Sequence, residues 1–363
     1  MTRYDLLVVG GGLASAKAVE AYRESGGDGS VLLLSADRYP PYHRPPLSKR
    51  LLRGEQESEQ AFVQPEAWYS EHQIELRLET HVRALDGARR VVQLDSEEVG
   101  FEQLLIATGA QPRPLGSAMT LRTIDDSLAI RERARAAGKA TVIGTGFIGL
   151  EVAASLRALD VAVTLATGGR PLFGAFGSAD FSTYLDGVYR EHGVELVDEA
   201  SADAGVVIAG IGVVAGTDWL GGSGIDVDDG VVVDERFRTS MEGVYAAGDV
   251  ARFYDPVFGY ARRIEHWSNA NYQGAEVGKV LAGGDSRYDT VSSFFTELFG
   301  TTFRVLGELR GDAELEGSFE TGRAIVRYRQ GDRLMGALVT GLEDDEIDEL
   351  KTAIREGGAP GLK

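Results

Sequence analysis

Two short glycine-rich stretches carry the clearest chemistry in the chain. Gly10-Gly11-Gly12-Leu13-Ala14-Ser15 directly follows an apolar run at 6–9, and Gly144-Thr145-Gly146-Phe147-Ile148-Gly149 follows Thr141-Val142-Ile143. A strand that enters a glycine turn and then a helix presents free backbone N–H groups and the positive end of a helix dipole, an arrangement suited to a pyrophosphate. In the first turn Gly10 makes the tight bend and Gly12 admits the backbone close to the phosphates. Ser15 stands where a third glycine is usual and is small enough to keep helix and strand close. The second turn has all three glycines, Gly144, Gly146 and Gly149. A ribose 2′-hydroxyl is bound by a carboxylate at the end of the second strand of such a unit. Asp37 fills that place in the first unit, whereas the strand at 161–165 runs into Ala166-Thr167-Gly168-Gly169-Arg170, so Thr167 stands where the second carboxylate would be. Its loss removes the repulsion that excludes a 2′-phosphate. Arg170 either pairs with such a phosphate or merely anchors its loop.

The elements that must position these residues show as short apolar, β-branched runs. Besides 6–9 they lie at 31–34, 104–106, 141–143, 161–165, 206–208, 231–233 and 243–247. Continuous runs of this kind suit strands covered on both faces, hence a parallel sheet. Residues 13–24 and 147–159 read as the helices of two strand–turn–helix–strand units, at 6–34 and 141–165. Beyond Gly283 the pattern alternates, at 324–328 and 333–339, and ends in a charged helix at 344–355, which reads as antiparallel β plus α. The expected fold class is α/β, with two Rossmann-like dinucleotide-binding domains, the second shortened, plus a C-terminal α+β domain. Boundaries are expected at 1–113 with 235–283, at 114–234 and at 284–363.

Composition narrows the chemistry. None of the 363 residues is cysteine, which excludes a disulfide scaffold, a thiolate-ligated metal and any thiol relay within this chain. The five histidines, at 43, 72, 81, 192 and 266, form no H-x-x-x-H pair, and no metal site is expected. Lys+Arg 37 against Asp+Glu 56 gives a net charge of −19, which argues against nucleic acid as a partner. The N-terminal apolar run is too short for a signal peptide, and no run approaches the ~18–20 residues that span a bilayer. A cytoplasmic monomer or homodimer without membrane contact is the expectation.

Further stretches resemble a known family. Asp37-Arg38-Tyr39-Pro40-Pro41-Tyr42-His43-Arg44-Pro45-Pro46-Leu47-Ser48-Lys49 is similar to the flavin-contacting segment of FAD-dependent NAD(P)H:ferredoxin, rubredoxin and putidaredoxin reductases. These belong to a wider flavoprotein pyridine-nucleotide oxidoreductase group that includes apoptosis-inducing-factor-like proteins. Leu105-Ile106-Ala107-Thr108-Gly109 with Pro112 matches the crossover between their domains. Gly243-Val244-Tyr245-Ala246-Ala247-Gly248-Asp249-Val250 matches their second FAD motif, and Glu265-His266-Trp267-Ser268-Asn269-Ala270 the flavin-side segment after it. The likeness runs from residue 1 to about 310.

The resemblance implies FAD on the first unit and NAD(P)H on the second. For FAD it implies Gly10, Gly12, Leu13, Ala14, Ser15 and Asp37, with Arg44 and Pro46 lining the flavin and Val82 meeting the adenine side through its backbone. Ala107, Thr108, Gly109 and Arg113 follow at the crossover, Gly248 and Asp249 at the ribityl hydroxyls, and Glu265, His266 and Trp267 beside the ring. For the nicotinamide nucleotide it implies Gly144, Gly146, Phe147, Ile148, Gly149, Thr167 and Arg170. Four residues have implied catalytic roles: Lys49 near flavin N5, Glu151 as its partner, Phe147 against the ring face and swinging aside for the nicotinamide, and Trp267 over the ring edge. Each also has an ordinary structural reading, as a loop base, a first-turn acid complementing the dipole, or a buried aromatic.

With no thiol in the chain, the implied reaction carries electrons from NAD(P)H through the flavin to an external ferredoxin-like carrier that feeds an oxygenase. Two departures from the family stand out. Relatives place a strand pair where this chain has only the eight residues 198–205, too few for a hairpin of strands of ~5–6 residues. The segment 292–300 replaces one that carries Trp and Asp in relatives, with Phe295 and Glu297 as the equivalents. Two classes therefore stay open: an NAD(P)H-dependent reductase, and a flavoprotein that binds FAD without oxidising NAD(P)H efficiently and acts as a subunit, sensor or oxidase. An acidic carrier would need a local basic patch, for which Arg252, Arg262, Arg263 and Arg304 are the candidates.

Overall fold

Leu6, Leu7, Val8 and Val9 are buried on both faces of the strand Thr2–Val9, as an apolar run without polar interruption requires. That strand pairs in parallel with Val31–Leu34 on one side and Glu98–Ile106 on the other. The sheet continues outward to Ile74–Arg77 beyond Val31–Leu34, and through Val91–Leu94 to Val82–Asp86 beyond Glu98–Ile106. Val244–Ala246 adds in parallel to Glu98–Ile106, which brings the run at 243–247 next to the one at 104–106. The run at 231–233 lies elsewhere, in a three-stranded sheet with Ala251–Asp255 and Tyr260–Arg263.

The computed structural model describes residues 1–201 and 205–357. The backbone separates into two compact units, one of Met1–His43, Glu59–Gln111 and Val214–Thr290, the other of Arg44–Ser58, Pro112–Val213 and Val291–Lys363. In the first unit the helix Leu13–Glu24 packs against Trp267–Leu281 at a distance set by glycine. A Cβ on Gly274 would lie 2.5 Å from the Ala14 carbonyl oxygen, and one on Gly278 would lie 2.7 Å from the Ala21 Cβ.

The second unit holds a four-stranded parallel sheet in the order Val194–Val197, Ala162–Ala166, Lys139–Ile143, Val206–Ala209. Among the described residues no strand pair lies between Val194–Val197 and Val206–Ala209; residues 202–204 of that connection lie outside them. The alternating C-terminal stretch forms an antiparallel sheet in the order Ser293–Leu298, Thr301–Gly307, Arg333–Thr340, Arg323–Gln330, Asp312–Ser318, followed by the helix Asp344–Glu356. Residues 44–58 also belong here, although they fall within the expected 1–113 stretch. The Leu47 carbonyl accepts the Ser127 hydroxyl at 2.7 Å, the Ser48 carbonyl accepts the Ser155 hydroxyl at 2.6 Å, and Leu51 and Leu52 are buried. No helix among the described residues is long and apolar enough to cross a membrane.

The helix contact in the first unit predicts that Gly278→Ala lowers stability by about 1–3 kcal/mol, since the added methyl overpacks a backbone-to-backbone approach. Gly187→Ala is the control. Its added Cβ meets nothing within 4 Å on the helix Ala179–Glu191, and a gain of about 0.5–1 kcal/mol is expected. Denaturation midpoints of the two variants check the pair.

Candidate functional site

In the first unit the glycine turn is shaped by what surrounds it. Gly10 adopts φ +125°, and a Cβ there would run into the Ala107 carbonyl, while one on Gly11 would run into Ser35 Oγ. Gly12 caps the helix Leu13–Glu24 with no side-chain acceptor for its first N–H groups, so those donors stay available to an anion. Leu13 and Ala14 are buried in its first turn, and Ser15 is fully buried with no hydrogen-bond partner for its Oγ. A buried orphan hydroxyl at a helix start is costly unless a ligand satisfies it. This is the observation by which the site fits a dinucleotide.

The second FAD-like motif converges on the same place. Gly248, at φ +79°, passes so close to the helix start that an added Cβ would lie 3.0 Å from the Ala14 Cβ. Its N–H donates to Gln273 Oε1 at 2.8 Å, which fixes Asp249 in the short turn Gly248–Val250 beside the cradle. The crossover is pinned as well. The Ala107 N–H donates to the Val9 carbonyl at 2.8 Å, Thr108 Oγ1 donates to the Gly216 carbonyl at 2.7 Å, and the Gly216 N–H donates to Gly109. Val82 opens the strand Val82–Asp86 at the far edge of the sheet.

Asp37 organises its own loop. One carboxylate oxygen accepts the Tyr42 hydroxyl at 2.7 Å and the other the Tyr39 N–H at 3.2 Å. A carboxylate offers about four acceptor positions, so the remaining ones stay available to a ribose. On the flavin-side segment, His266 caps Trp267–Leu281, and burial pushes its imidazole down to about 4, with Asp249 opposing and Arg262 adding to the shift. Burial also raises the neighbouring Glu265, Asp249 and Asp229 reinforcing the rise and Arg263 opposing it. The Trp267 indole N–H donates to His43 Nδ1 at 2.9 Å. Burial first, and Lys17 second, hold His43 below its usual range, which keeps it a neutral acceptor at pH 7. Nothing in the sequence pointed to His43, because its partner lies 224 residues away.

In the second unit the turn is rebuilt with the same geometry. Gly144 also sits at φ +125° with its missing Cβ aimed at the Gly210 carbonyl, and the missing Cβ of Gly149 aims at the Gly144 carbonyl. Gly146 caps the helix Phe147–Arg157 without a side-chain acceptor, and a Cβ on it would meet nothing within 4 Å. Ile148 is exposed at the front of that helix. Thr167 Oγ1 donates to the Val197 carbonyl and accepts the Gly169 N–H, both at 3.2 Å. Among the described residues the exposed Arg170 guanidinium makes no ion pair or hydrogen bond, so the side chain does not anchor its loop. The Arg113 N–H donates to the Gly212 carbonyl, Arg44 Nε donates to the Arg122 carbonyl, and the Pro46 carbonyl accepts the Lys49 N–H at 3.0 Å.

Lys49 and Glu151 are neither a solvated loop base nor a solvated first-turn acid. Lys49 Nζ lies 2.6 Å from Glu151 Oε2, with side-chain exposures of 11% and 6%. Ser48 Oγ donates to the same oxygen at 2.5 Å, and Thr296 Oγ1 donates to Oε1 at 2.7 Å. Both carboxylate oxygens thus have partners, a cation and a hydroxyl on Oε2 and a hydroxyl on Oε1. The sequence pointed to Phe295 and Glu297 on this segment, yet they lie on the other face of the strand Ser293–Leu298, with Phe295 49% exposed. Period-two alternation puts Thr296 between them on the inner face. Phe147 is boxed by Phe173, Phe176 and Phe294, with ring centroids at 4.8, 5.5 and 5.2 Å. The four candidate arginines form no free basic patch. Arg252 pairs with Asp228, Arg262 with Asp255, Arg263 with Asp229 and Glu265, and Arg304 with Asp344.

Thr296→Val strands Glu151 Oε1 in a buried site, and a loss of about 1–3 kcal/mol is expected, whereas Thr296→Ser keeps the donor and stays near wild type; chemical denaturation of the two variants checks this. His266 makes a second prediction. Its folded value of about 4 lies below the ordinary 6.5, so the unfolded chain binds more protons between these values. Its contribution is complete above pH 6.5 and is lost as pH falls toward 4. The melting temperature of His266→Gln should therefore fall less steeply than wild type across that window; parallel curves would contradict the assignment.

The profile of the pyridine nucleotide-disulphide oxidoreductase family matches residues 4–203 and 196–274. Over 335 residues the chain is 31% identical to the ferredoxin–NAD(+) reductase component of the anthranilate 1,2-dioxygenase system of Burkholderia cepacia, covering 85% of this chain and 82% of that one. It is 30% identical over 367 residues to putidaredoxin reductase of Pseudomonas putida, covering 91% and 87%. The crystal structure of a covalent putidaredoxin reductase–putidaredoxin complex superposes with a TM-score of 0.91 at 28% identity, covering 98% of this chain and 94% of that one. With both glycine turns and the Gly248–Asp249 motif in their family places, the chain belongs to the pyridine nucleotide-disulphide oxidoreductase family.

Proposed function

We propose that this protein is an FAD-dependent oxidoreductase that takes electrons from NAD(P)H and passes them to a ferredoxin-like redox protein. One observation carries the reading. The chain repeats a single phosphate-binding turn, at Gly10 and at Gly144, and only the first has a Gly248–Asp249 motif packed against it. FAD, when bound, supplies the conversion of a two-electron hydride into single-electron steps. The chain's own residues do the rest. The helix start at Gly12 with Ser15 Oγ takes the FAD pyrophosphate, Asp37 the adenosine ribose and Asp249 the ribityl hydroxyls. The helix start at Gly146 takes the nucleotide pyrophosphate. The family resemblance gives Lys49 the role of the cation for the flavin, and within its own unit that charge is balanced by Glu151 and kept from water. Phe147 opens the nicotinamide position by leaving its three neighbouring rings, and His43 fixes the Trp267 indole.

The cysteine-free composition supports an external acceptor, since no thiol here can receive the electrons. The relatives include reductase components of dioxygenase systems, so the carrier is read as one that serves an oxygenase. The protein is read as a cytoplasmic monomer or homodimer.

Anaerobic mixing of the FAD-loaded protein with NADH and with NADPH tests this. Bleaching of the flavin absorbance by at least one nucleotide is expected, followed by reduction of an added ferredoxin. A flavin that stays oxidised with both nucleotides would replace this reading with that of a flavoprotein reduced by another donor. The net charge of −19 and the pairing of all four candidate arginines add a salt dependence. Reduction of an acidic ferredoxin should speed up from low to moderate ionic strength as like-charge repulsion is screened.

A further inference from the structure

We propose that the nucleotide site of this chain is built for a 2′-phosphate, so that NADPH is bound in preference to NADH; the inference rests on the reading of the second turn as a nicotinamide nucleotide site. Three observations at the end of the strand Ala162–Ala166 carry it. First, no acid stands in the loop after the strand. Thr167 Oγ1 accepts the Gly169 N–H just as Ser35 Oγ accepts the Asp37 N–H in the first unit, so Thr167 matches Ser35 and a glycine takes the place of Asp37. Second, the loop is emptied of side chains. Gly168 and Gly169 adopt φ +65° and +69°, and a Cβ on either would meet nothing within 4 Å. Third, Arg170 closes the loop with an exposed guanidinium that has no ion pair or hydrogen bond among the described residues.

A planar, permanently charged fork is the group best matched to a phosphate dianion. The loop is also tied to the site. The Gly144 N–H donates to the Ala166 carbonyl, and the Phe173 N–H donates to the Thr145 carbonyl at 2.8 Å, so both of its ends are fastened to the glycine turn. The opposing charge is Asp198 with Glu199, both exposed, just past the strand Val194–Val197; the Asp198 carbonyl accepts the Gly168 N–H at 2.9 Å. These acids lie one strand farther out than the position from which a carboxylate grips a ribose 2′-hydroxyl. They temper the preference rather than reverse it.

Calorimetric titration of the FAD-loaded protein with 2′,5′-ADP and with 5′-AMP tests the subsite without any turnover. The expected result is tighter binding of 2′,5′-ADP by more than threefold; a ratio of threefold or less overturns the proposal. Thr167→Glu introduces an acid just past the strand, and Arg170→Ala removes the fork. A fall of the 2′,5′-ADP to 5′-AMP ratio to threefold or less in either variant supports the assignment, and a ratio that stays above threefold in both overturns it. Flavin bleaching by NADH and NADPH is recorded on the same samples. If neither bleaches the flavin while 2′,5′-ADP still binds selectively, the reductase reading fails and the subsite stands.

Discussion

At the first glycine of each turn no side chain fits, and the strand–turn–helix geometry of each unit follows from that constraint. Gly10 and Gly144 share φ +125°, a value L-residues rarely adopt, and at each the space of a Cβ is filled by the carbonyl of a neighbouring segment, Ala107 in one case and Gly210 in the other. The chain leaves a buried parallel strand, turns within two residues and starts a helix whose first N–H groups have no side-chain acceptor. Any larger residue would push the helix off the sheet and close the approach to the donors. The same physical solution appears twice, once in each unit.

The second unit adds a constraint of a different kind, a charge pair held away from water. Removing Lys49 and Glu151 from solvent carries a desolvation cost of several kcal/mol per ion, which attraction alone seldom offsets. The structure meets this with hydrogen bonds from two hydroxyls, Ser48 and Thr296, so neither carboxylate oxygen is left bare. Because Lys49 and Ser48 come from the 44–58 segment, Glu151 from the helix Phe147–Arg157 and Thr296 from the C-terminal sheet, the pair ties together three parts of the unit that are remote in sequence.

What could be read from the residues was whatever is encoded locally. Both strand–turn–helix units, the helix Leu13–Glu24 and the alternating C-terminal strands follow from periodicity and glycine placement alone. The motif resemblance named Lys49, Glu151, Gly248 and Asp249, and the structure packs the first two against each other and the last two beside the first turn. What escaped was set by long-range packing. Thr296 was passed over for its neighbours because composition cannot say which face of an edge strand turns inward. His43 gave no signal before its indole partner was in place. The arginine patch failed because each guanidinium is paired with a carboxylate, near in sequence for Arg262 and for Arg263 with Glu265, and remote for Arg252 and Arg304.

The two turns, alike in backbone, differ in the loop after the next strand: Ser35 and Thr167 each accept the N–H two residues on, and the residue so held is Asp37 in one unit and Gly169 in the other. Asp37 gives part of its carboxylate to Tyr42 and Tyr39 and keeps acceptor capacity for a ribose. Thr167 spends its hydroxyl on Val197 and Gly169 and has little left. One side chain thus has acceptor capacity beyond the loop's own bonds, whereas the other is used by the loop alone. Because loop shape is set by the short-range bonds in both cases, the ligand-facing charge can change from acid to base without disturbing the strand, the turn or the helix behind it.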